Sequence, residues 1–288
     1  MAPGLDITLL RQDNTTVIHL AGQPSKTPEF GITELSPTPP EINQDLPLQS
    51  TFVLNPTFIT QEFDLLRFEA AASGQLPTGP NITTTPDLKS HTEEEERTNS
   101  ASPAYSTLLI SSPYNNPGHY LDLSVLPTPS LLFAKALTAL KPTRPDYATA
   151  PYTEALNFPA VLAVLRDLAR KQGVQWPSTS FYVVTFRSQL KDGIDNDWLY
   201  KLDYESHREA CESGGLLKYW FGKSNGERRN LATCFWHSRE DAYKGGLGPW
   251  HKKARAAGRE LYEQIVFSTH RLTLLDGAED YRFEDWSE

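Results

Sequence analysis

Apolar and polar residues alternate most regularly between residues 181 and 274, where four strand-like and two helix-like runs follow in the order β-α-β-β-α-β. The run Phe181-Tyr182-Val183-Val184-Thr185-Phe186-Arg187 is β-branched and aromatic, lacks Gly and Pro, and lies between Pro177 and Asp192-Gly193, which predicts a strand. Asp195, Asn196 or Asp197 can cap a helix from about Trp198 to Ser213, because a short side-chain oxygen satisfies the first free backbone amides. Gly214-Gly215 ends it, since glycine enters the left-handed conformation of a helix C-terminus at no steric cost.

Residues 216–221 and 230–237 flank Asn225-Gly226 turn chemistry and predict a β-hairpin. A period of two sets Leu231, Thr233, Phe235 and His237 on one face, with Ala232, Cys234 and Trp236 on the other. Pro249 opens a helix expected to run to about Gln264 on Ala254, Ala257 and Leu261, and a last strand is expected near residues 265–275. This order is that of the split βαβ, ferredoxin-like motif, an antiparallel sheet with both helices on one face. The other face, rich in Phe, Tyr and Trp, must be covered by a partner sheet, another part of the chain or a ligand.

Upstream, residues 105–110 and 119–125 read as strands, and residues 130–140 and 157–172 as helices. The second helix has Phe158, Val161, Leu162, Leu165 and Leu168 as its apolar stripe. The β-β-α-α segment 105–175 is expected to cover the open face of the 181–274 unit, so the fold class is α+β, with a single barrel-like domain over residues 105–288. Residues 1–104 read as an N-terminal extension, largely disordered or linker. Within it stand strand-like runs at 7–10 and 16–20, a Pro-, Thr- and Glu-rich stretch at 22–47, a short helix at 60–73, and a linker at 75–103 carrying the acidic run 93–96.

The segments Gly214-Gly215-Leu216-Leu217-Lys218-Tyr219-Trp220-Phe221-Gly222, Arg229-Asn230-Leu231-Ala232-Thr233-Cys234-Phe235-Trp236 and Ser238-Arg239-Glu240-Asp241-Ala242 resemble those of an uncharacterised fungal protein family. Its C-terminal half is similar to the dimeric α+β barrel superfamily, which includes antibiotic-biosynthesis monooxygenases, polyketide cyclases, muconolactone isomerase, chlorite dismutase and haem aldoxime dehydratases. The resemblance spans about residues 104–286 for the fungal family and 180–275 for the superfamily. It implies an apolar cavity and either cofactor-independent chemistry or, as in the haem-bearing members, an axial histidine. It carries over no catalytic set, because fold alone does not fix function.

A formal charge of -9 and a pI near 5.3 argue against a nucleic-acid partner, which needs a basic field over the binding face. Two cysteines, Cys211 and Cys234, do not make a disulfide framework. No apolar run reaches the roughly 20 residues that span a bilayer, and the first residues carry no secretion signal, so no membrane partner and a cytoplasmic location are expected.

His207, His237, His251 and His270 lack the Cys-x-x-Cys, His-Glu-x-x-His and His-x-His spacings of metal sites, so none is read. In an apolar cavity a His or Tyr has a perturbed pKa and can move a proton, which makes His207, His237, His270, Tyr182 and Tyr219 the catalytic candidates. Trp198, Trp220, Trp236 and Trp250, with Arg187, are the candidate ligand-binding residues. The glycine-rich turn 245–248 before a helix is a possible anion site, because free amides point outward there, but it lacks the Walker pattern. These residues point to a protein that binds or converts a small hydrophobic metabolite by His/Tyr acid-base chemistry, as cyclases, isomerases and monooxygenases do. The alternative is a non-enzymatic ligand-binding or stress-response protein, or a protein-interaction module. Both a monomer with its own cover segment and a homodimer are compatible with this reading.

Overall fold

The computed structural model describes residues 15–18, 53–54, 59–68, 75–76 and 106–287. In chain order the elements are β1 (Thr15–Ile18), α1 (Phe63–Phe68), β2 (Leu108–Ile110), β3 (Tyr120–Asp122), α2 (Thr128–Ala136), α3 (Tyr152–Ala155), α4 (Phe158–Lys171), β4 (Thr179–Leu190), α5 (Asn196–Ser213), β5 (Leu216–Phe221), β6 (Arg229–Trp236), α6 (Arg239–Gly245), α7 (Pro249–Leu261), β7 (Tyr262–Leu274) and β8 (Tyr281–Asp285). The protein is α+β. Its main sheet has the order β1-β7-β4-β6-β5, with β8 also on β7, and β2 and β3 form a separate ribbon. Every pairing is antiparallel.

Strand alternation decides which face each residue joins. Phe181 and Val183 on β4, Leu231 and Phe235 on β6, and Leu272 and Leu274 on β7 point to one side and build the largest core cluster. They meet Leu131, Leu132 and Phe133 of α2 and Val161, Leu162 and Leu165 of α4. The Phe133 and Phe181 rings stand 4.4 Å apart. This face is therefore covered by another part of the same chain, and the cover is two helices, not a second sheet.

The opposite face carries Tyr182, Val184, Tyr219 and Trp236, with Ala210 of α5 packed on them. Helix α7 lies on α5 through Leu202, Ala257 and Leu261. The two faces are sealed unequally. On β6, Leu231, Thr233 and Phe235 are buried, while Ala232 and Cys234 on the α5 side remain half-buried, as do Phe186, Phe221 and Phe267 on neighbouring strands.

The strand 181–187 extends to Thr179–Leu190, because pairing on both sides with β6 and β7 supports residues beyond the apolar run. The helix expected to reach Gln264 stops at Leu261. Tyr262 is already extended at φ -114° and ψ 138°, and the β-branched Ile265 and Val266 pair with β4. Three elements had not been expected: the four-residue α3, and α6 and β8. Helix α6 forms behind Ser238, whose hydroxyl accepts from the Asp241 amide at 3.1 Å, and β8 returns along β7 after a turn in which Gly277 has φ +68°. The strands expected at 105–110 and 119–125 shrink to three residues each, the second ended by Asp122, which accepts from the Ser124 amide. The helix expected at 130–140 runs from Thr128 to Ala136 and tightens into a 3-10 turn.

In the extension, the strand expected at 16–20 is placed as β1 and the helix at 60–73 as α1. Gln75, expected to begin the linker, is buried and takes both backbone groups of Ile110, donating to its oxygen at 3.3 Å and accepting from its amide at 2.7 Å. The strand at 7–10, the stretch at 22–47 and residues 77–103 of the linker lie outside the described residues. Among the described residues no helix is long and apolar enough to cross a membrane.

The turn after β5 depends on a missing side chain. A Cβ on Gly222 would stand 2.2 Å from the Tyr147 ring, which is itself packed 5.5 Å from the Trp220 ring and donates its hydroxyl to the Lys223 carbonyl at 2.7 Å. A rigid buried ring cannot yield as a flexible chain end can, so Gly222→Ala is expected to cost about 2–3 kcal/mol. Thermal unfolding should register this as a midpoint roughly 5–10 °C lower. An unchanged midpoint would show that Tyr147 does not pack there.

Candidate functional site

Helix α5 starts at Asp195, whose carboxylate accepts from the Trp198 amide at 2.9 Å, and stops at Gly214 with φ +82°. Its phase divides the helix in two. Trp198, Leu199 and Leu202 face α7, whereas Asp203, His207, Ala210 and Cys211, at spacings of three and four, face the sheet. Across from them Tyr219 projects from β5, its phenol donating to Asp203 Oδ1 at 2.6 Å.

The third wall is the loop after β2. The Ser111 carbonyl accepts from the Tyr219 amide at 2.9 Å, which fastens the loop to the edge of β5. Ser112 then bonds Tyr114 locally, accepting from its amide at 3.1 Å, and Tyr120 holds the Asn115 carbonyl at 2.8 Å. So shaped, the loop delivers Tyr114 and His119 to α5. The Tyr114 phenol donates to Asp203 Oδ2 at 2.5 Å, and His119 Nδ1 lies 2.8 Å from His207 Nδ1.

A histidine pair bonded through both Nδ1 atoms requires one ring to donate and the other to accept. The rings are parallel within 4°, and each lies with its centroid 5.2 Å from that of Tyr114. His119 is fully buried, and its Nε2 has no hydrogen-bond partner among the described residues. Burial, then the Arg208 charge, lowers the His119 pKa to about 4. Burial, then the neighbouring His119 and His251, puts His207 well below 6.5. Both rings are therefore neutral at pH 7 and share one Nδ1 hydrogen.

Asp203 is pushed the other way. Burial raises its pKa and outweighs the two phenol hydrogen bonds that favour the carboxylate. Tyr219 is held well above 10 by burial and then by Asp203, and so keeps its proton as a donor. Burial pushes the Cys211 thiol, 3.7 Å from the His207 ring nitrogens, up to about 12, which leaves it an inert thiol. The result is a polar island of neutral bases and phenolic donors inside an aromatic shell. Among the described residues no three His, Cys, Asp or Glu side chains converge as a metal site.

Of the candidates read from sequence, His207 and Tyr219 meet here. The others lie elsewhere. His270 is on the α4 side of the sheet, bonded to Asp285 at 3.1 Å and 4.5 Å from the Phe283 ring. His237 is exposed at the end of β6 with Nδ1 2.7 Å from Ser130 Oγ. Tyr182 packs edge-on to Trp286 at 4.9 Å. Arg187 clamps the loop before α3, donating to the carbonyls of Ala148 and, at 2.6 Å, Ala150. The four tryptophans are dispersed: Trp198 and Trp250 between α5 and α7, Trp220 in the α2–α4 core, and Trp236 beside Gly245. An axial haem does not fit His207 or His270, because aromatic rings already fill the space beside both.

The anion site expected at the start of α7 is satisfied from within. Gly248 offers no capping side chain, and Glu209 of α5 accepts from the Trp250 amide at 2.6 Å and the His251 amide at 3.0 Å. Tyr114, His119 and Asp203 had not been singled out. Only their positions give a signal: Asp203 and His207 are four apart on one helix, but Tyr114 and His119 arrive from a loop about 90 residues earlier.

All of these site residues fall within residues 110–285, which match the model of the PB2B2.08-like family. The chain belongs to the PB2B2.08-like family. A relative, the UPF0643 protein PB2B2.08 of Schizosaccharomyces pombe, is 34% identical over 184 residues, covering 62% of this chain and 84% of the relative. The matched span begins at the end of β2 and ends at the end of β8, so it takes in the site loop, the whole α5 to β7 unit and the helices that cover it.

Proposed function

We propose that this member of the family binds a small hydrophobic molecule between α5, β5 and the loop 111–119 and moves a proton on it. The observation that carries this reading is the His119–His207 bond of 2.8 Å beside the Tyr114–Asp203–Tyr219 network. A neutral imidazole accepts a proton in a site of low dielectric, while the two phenols keep theirs as hydrogen-bond donors to Asp203. The aromatic shell suits an apolar ligand, and the half-buried Phe186, Phe221, Phe267 and Cys234 leave it a floor to rest on.

The strand order β7-β4-β6-β5, with α5 and α7 on one face, supports a ferredoxin-like reading of this unit. Residues 105–175 then take the place that a second subunit holds in dimeric barrels, which supports a monomer with internal cover. The test is denaturing extraction and mass spectrometry of the full chain purified from its own cells, beside His207→Gln and Tyr219→Phe. An apolar molecule should leave the wild type and be depleted at least fivefold in both variants. Equal yields in all three proteins would remove the site, and a chain empty in every preparation would remove the ligand.

A further inference from the structure

Among the described residues Asp203 has no counter-charge. Both carboxylate oxygens accept from phenols, at 2.5 Å from Tyr114 and 2.6 Å from Tyr219, and among the described residues no Lys, Arg or His lies within ion-pair distance of it. A carboxylate in such surroundings is costly unless a cation joins it. The phenols supply one hydrogen bond to each oxygen, while an ionised carboxyl group has room for about four. Among the described residues the two phenols are the groups bonded to it, so in its charged form, which burial disfavours, the acid has acceptor capacity that a cation would use.

The rings around it are those that hold cations. The Tyr114 centroid lies 5.2 Å from that of Tyr204, 5.9 Å from Tyr200, 5.7 Å from Phe63 and 5.9 Å from Phe221. Tyr200, 47% exposed, stands at the outer end, and Asp203 itself is only half-buried, so this end of the site meets solvent. The same aromatic wall already carries one positive group: the Arg67 guanidinium lies 5.8 Å from the Phe63 ring centre and 5.6 Å from that of Phe221. An open pocket of about 530 Å³, lined by Glu62, Phe63, Asp64, Leu65, Arg67 and Lys223, shares Phe63 with this wall.

We infer that the molecule bound here is an organic ammonium ion, its cationic head beside Asp203 at the solvent-facing side of Tyr200 and Tyr204. The apolar remainder lies along Phe63 and Phe221. This rests on the small-molecule reading of the site and names the ligand class. A carboxylate supplies the charge, and the ring faces supply the rest of the shell that water would otherwise provide. Amines and quaternary ammonium ions fit these requirements. A neutral hydrocarbon would leave Asp203 unmatched.

The test uses the full-length chain, with choline as the cation and 3,3-dimethylbutan-1-ol as its neutral isostere, each titrated by calorimetry and by NMR of the histidine ring protons. Choline is expected to bind saturably, to shift the His119 and His207 signals, and to bind at least tenfold more tightly than the alcohol. Asp203→Asn should weaken choline tenfold or more. Because that variant disturbs a buried network, Tyr200→Ala at the exposed end serves as a second variant, with an expected loss of several-fold and no change in unfolding midpoint. Binding of the alcohol within threefold of choline would overturn the ammonium class and leave the small-molecule site standing. Choline binding that is unchanged in both variants would overturn the placement on Asp203. No binding of choline by a chain that releases a non-cationic molecule on extraction would also overturn the inference, while supporting the site.

Discussion

Trp220→Ala is expected to destabilise the protein by about 3–5 kcal/mol, the cost of emptying a fully buried aromatic site. The indole is fully buried beneath α2 and packs 5.5 Å from Tyr147 and 6.5 Å from Phe68. Its Nε1 donates to the Arg67 carbonyl at 2.5 Å, so one side chain joins β5 to α1 as well as to the core. Two readouts should separate. Urea unfolding should report the global loss, and limited proteolysis should report faster cleavage near Arg67, where the tether is gone. Trp220→Phe fills most of the volume without the indole donor, and should recover most of the stability and little of the protection at Arg67. Equal protection in all three proteins would show that α1 is held by other contacts.

The second large effect is a response to acid. Burial lowers both His119 and His207 below 6.5, so the unfolded chain takes up protons before the folded one does. The stability present above pH 6.5 is lost as pH falls toward 4, at up to about 1.4 kcal/mol per pH unit for each ring. Arg208 near His119 and His251 near His207 add to this by opposing a positive charge. Asp203 works in the other direction, because its raised pKa lets the folded state protonate first and relieves a buried charge. Two rings against one carboxyl group leave a net loss. The urea midpoint should fall steeply between pH 7 and pH 5.

Exchanging both rings separates this from the general effect of acid. His119→Phe with His207→Phe removes donor and acceptor together and is expected to be nearly neutral at pH 7.5, whereas His207→Phe alone leaves His119 Nδ1 buried and unpaired at a cost of about 1–3 kcal/mol. The double variant should show the shallower acid slope. Parallel slopes would mean that neither histidine governs acid lability.

The sheet was legible because its strands are long, apolar and separated by strong turn signals. The hairpin about Asn225-Gly226 and the stop at Gly214-Gly215 appear where those residues predict them. The stripe of α4 did as well, since Phe158, Val161, Leu162 and Leu165 are all buried. The short elements were not. Helix α6 rests on a serine cap and no apolar repeat, and β8 is a mostly exposed run, Tyr-Arg-Phe-Glu-Asp, held by pairing with β7.

The site divides along the same line. His207 and Tyr219 sit on regular elements whose phase can be counted from the sequence. Tyr114 and His119 sit on a loop whose path is fixed by Ser111, Ser112 and Asn115, and no periodicity encodes that path. Asp203 was passed over because an acid in a polar helix reads as solvated until both of its oxygens are seen on phenols. The dispersal of the tryptophans has a simpler cause: alternation sends Trp220 and Trp236 to opposite faces of the sheet, where aromatic content alone suggests a shared cavity.

The free edge of β7 is tiled by two pieces of chain made at very different times. β1 pairs with residues 265–268 and β8 with residues 270–274, while the Trp286 amide closes the gap by donating to the Thr269 carbonyl at 3.0 Å. On a ribosome adding roughly 5–20 residues per second, a strand at residue 15 emerges some 10–50 seconds before the edge it will join. Strand β8 follows β7 within about a second or two at the same pace. During synthesis β1 is therefore already waiting when residues 265–268 emerge, and β8, the last strand made, completes the edge.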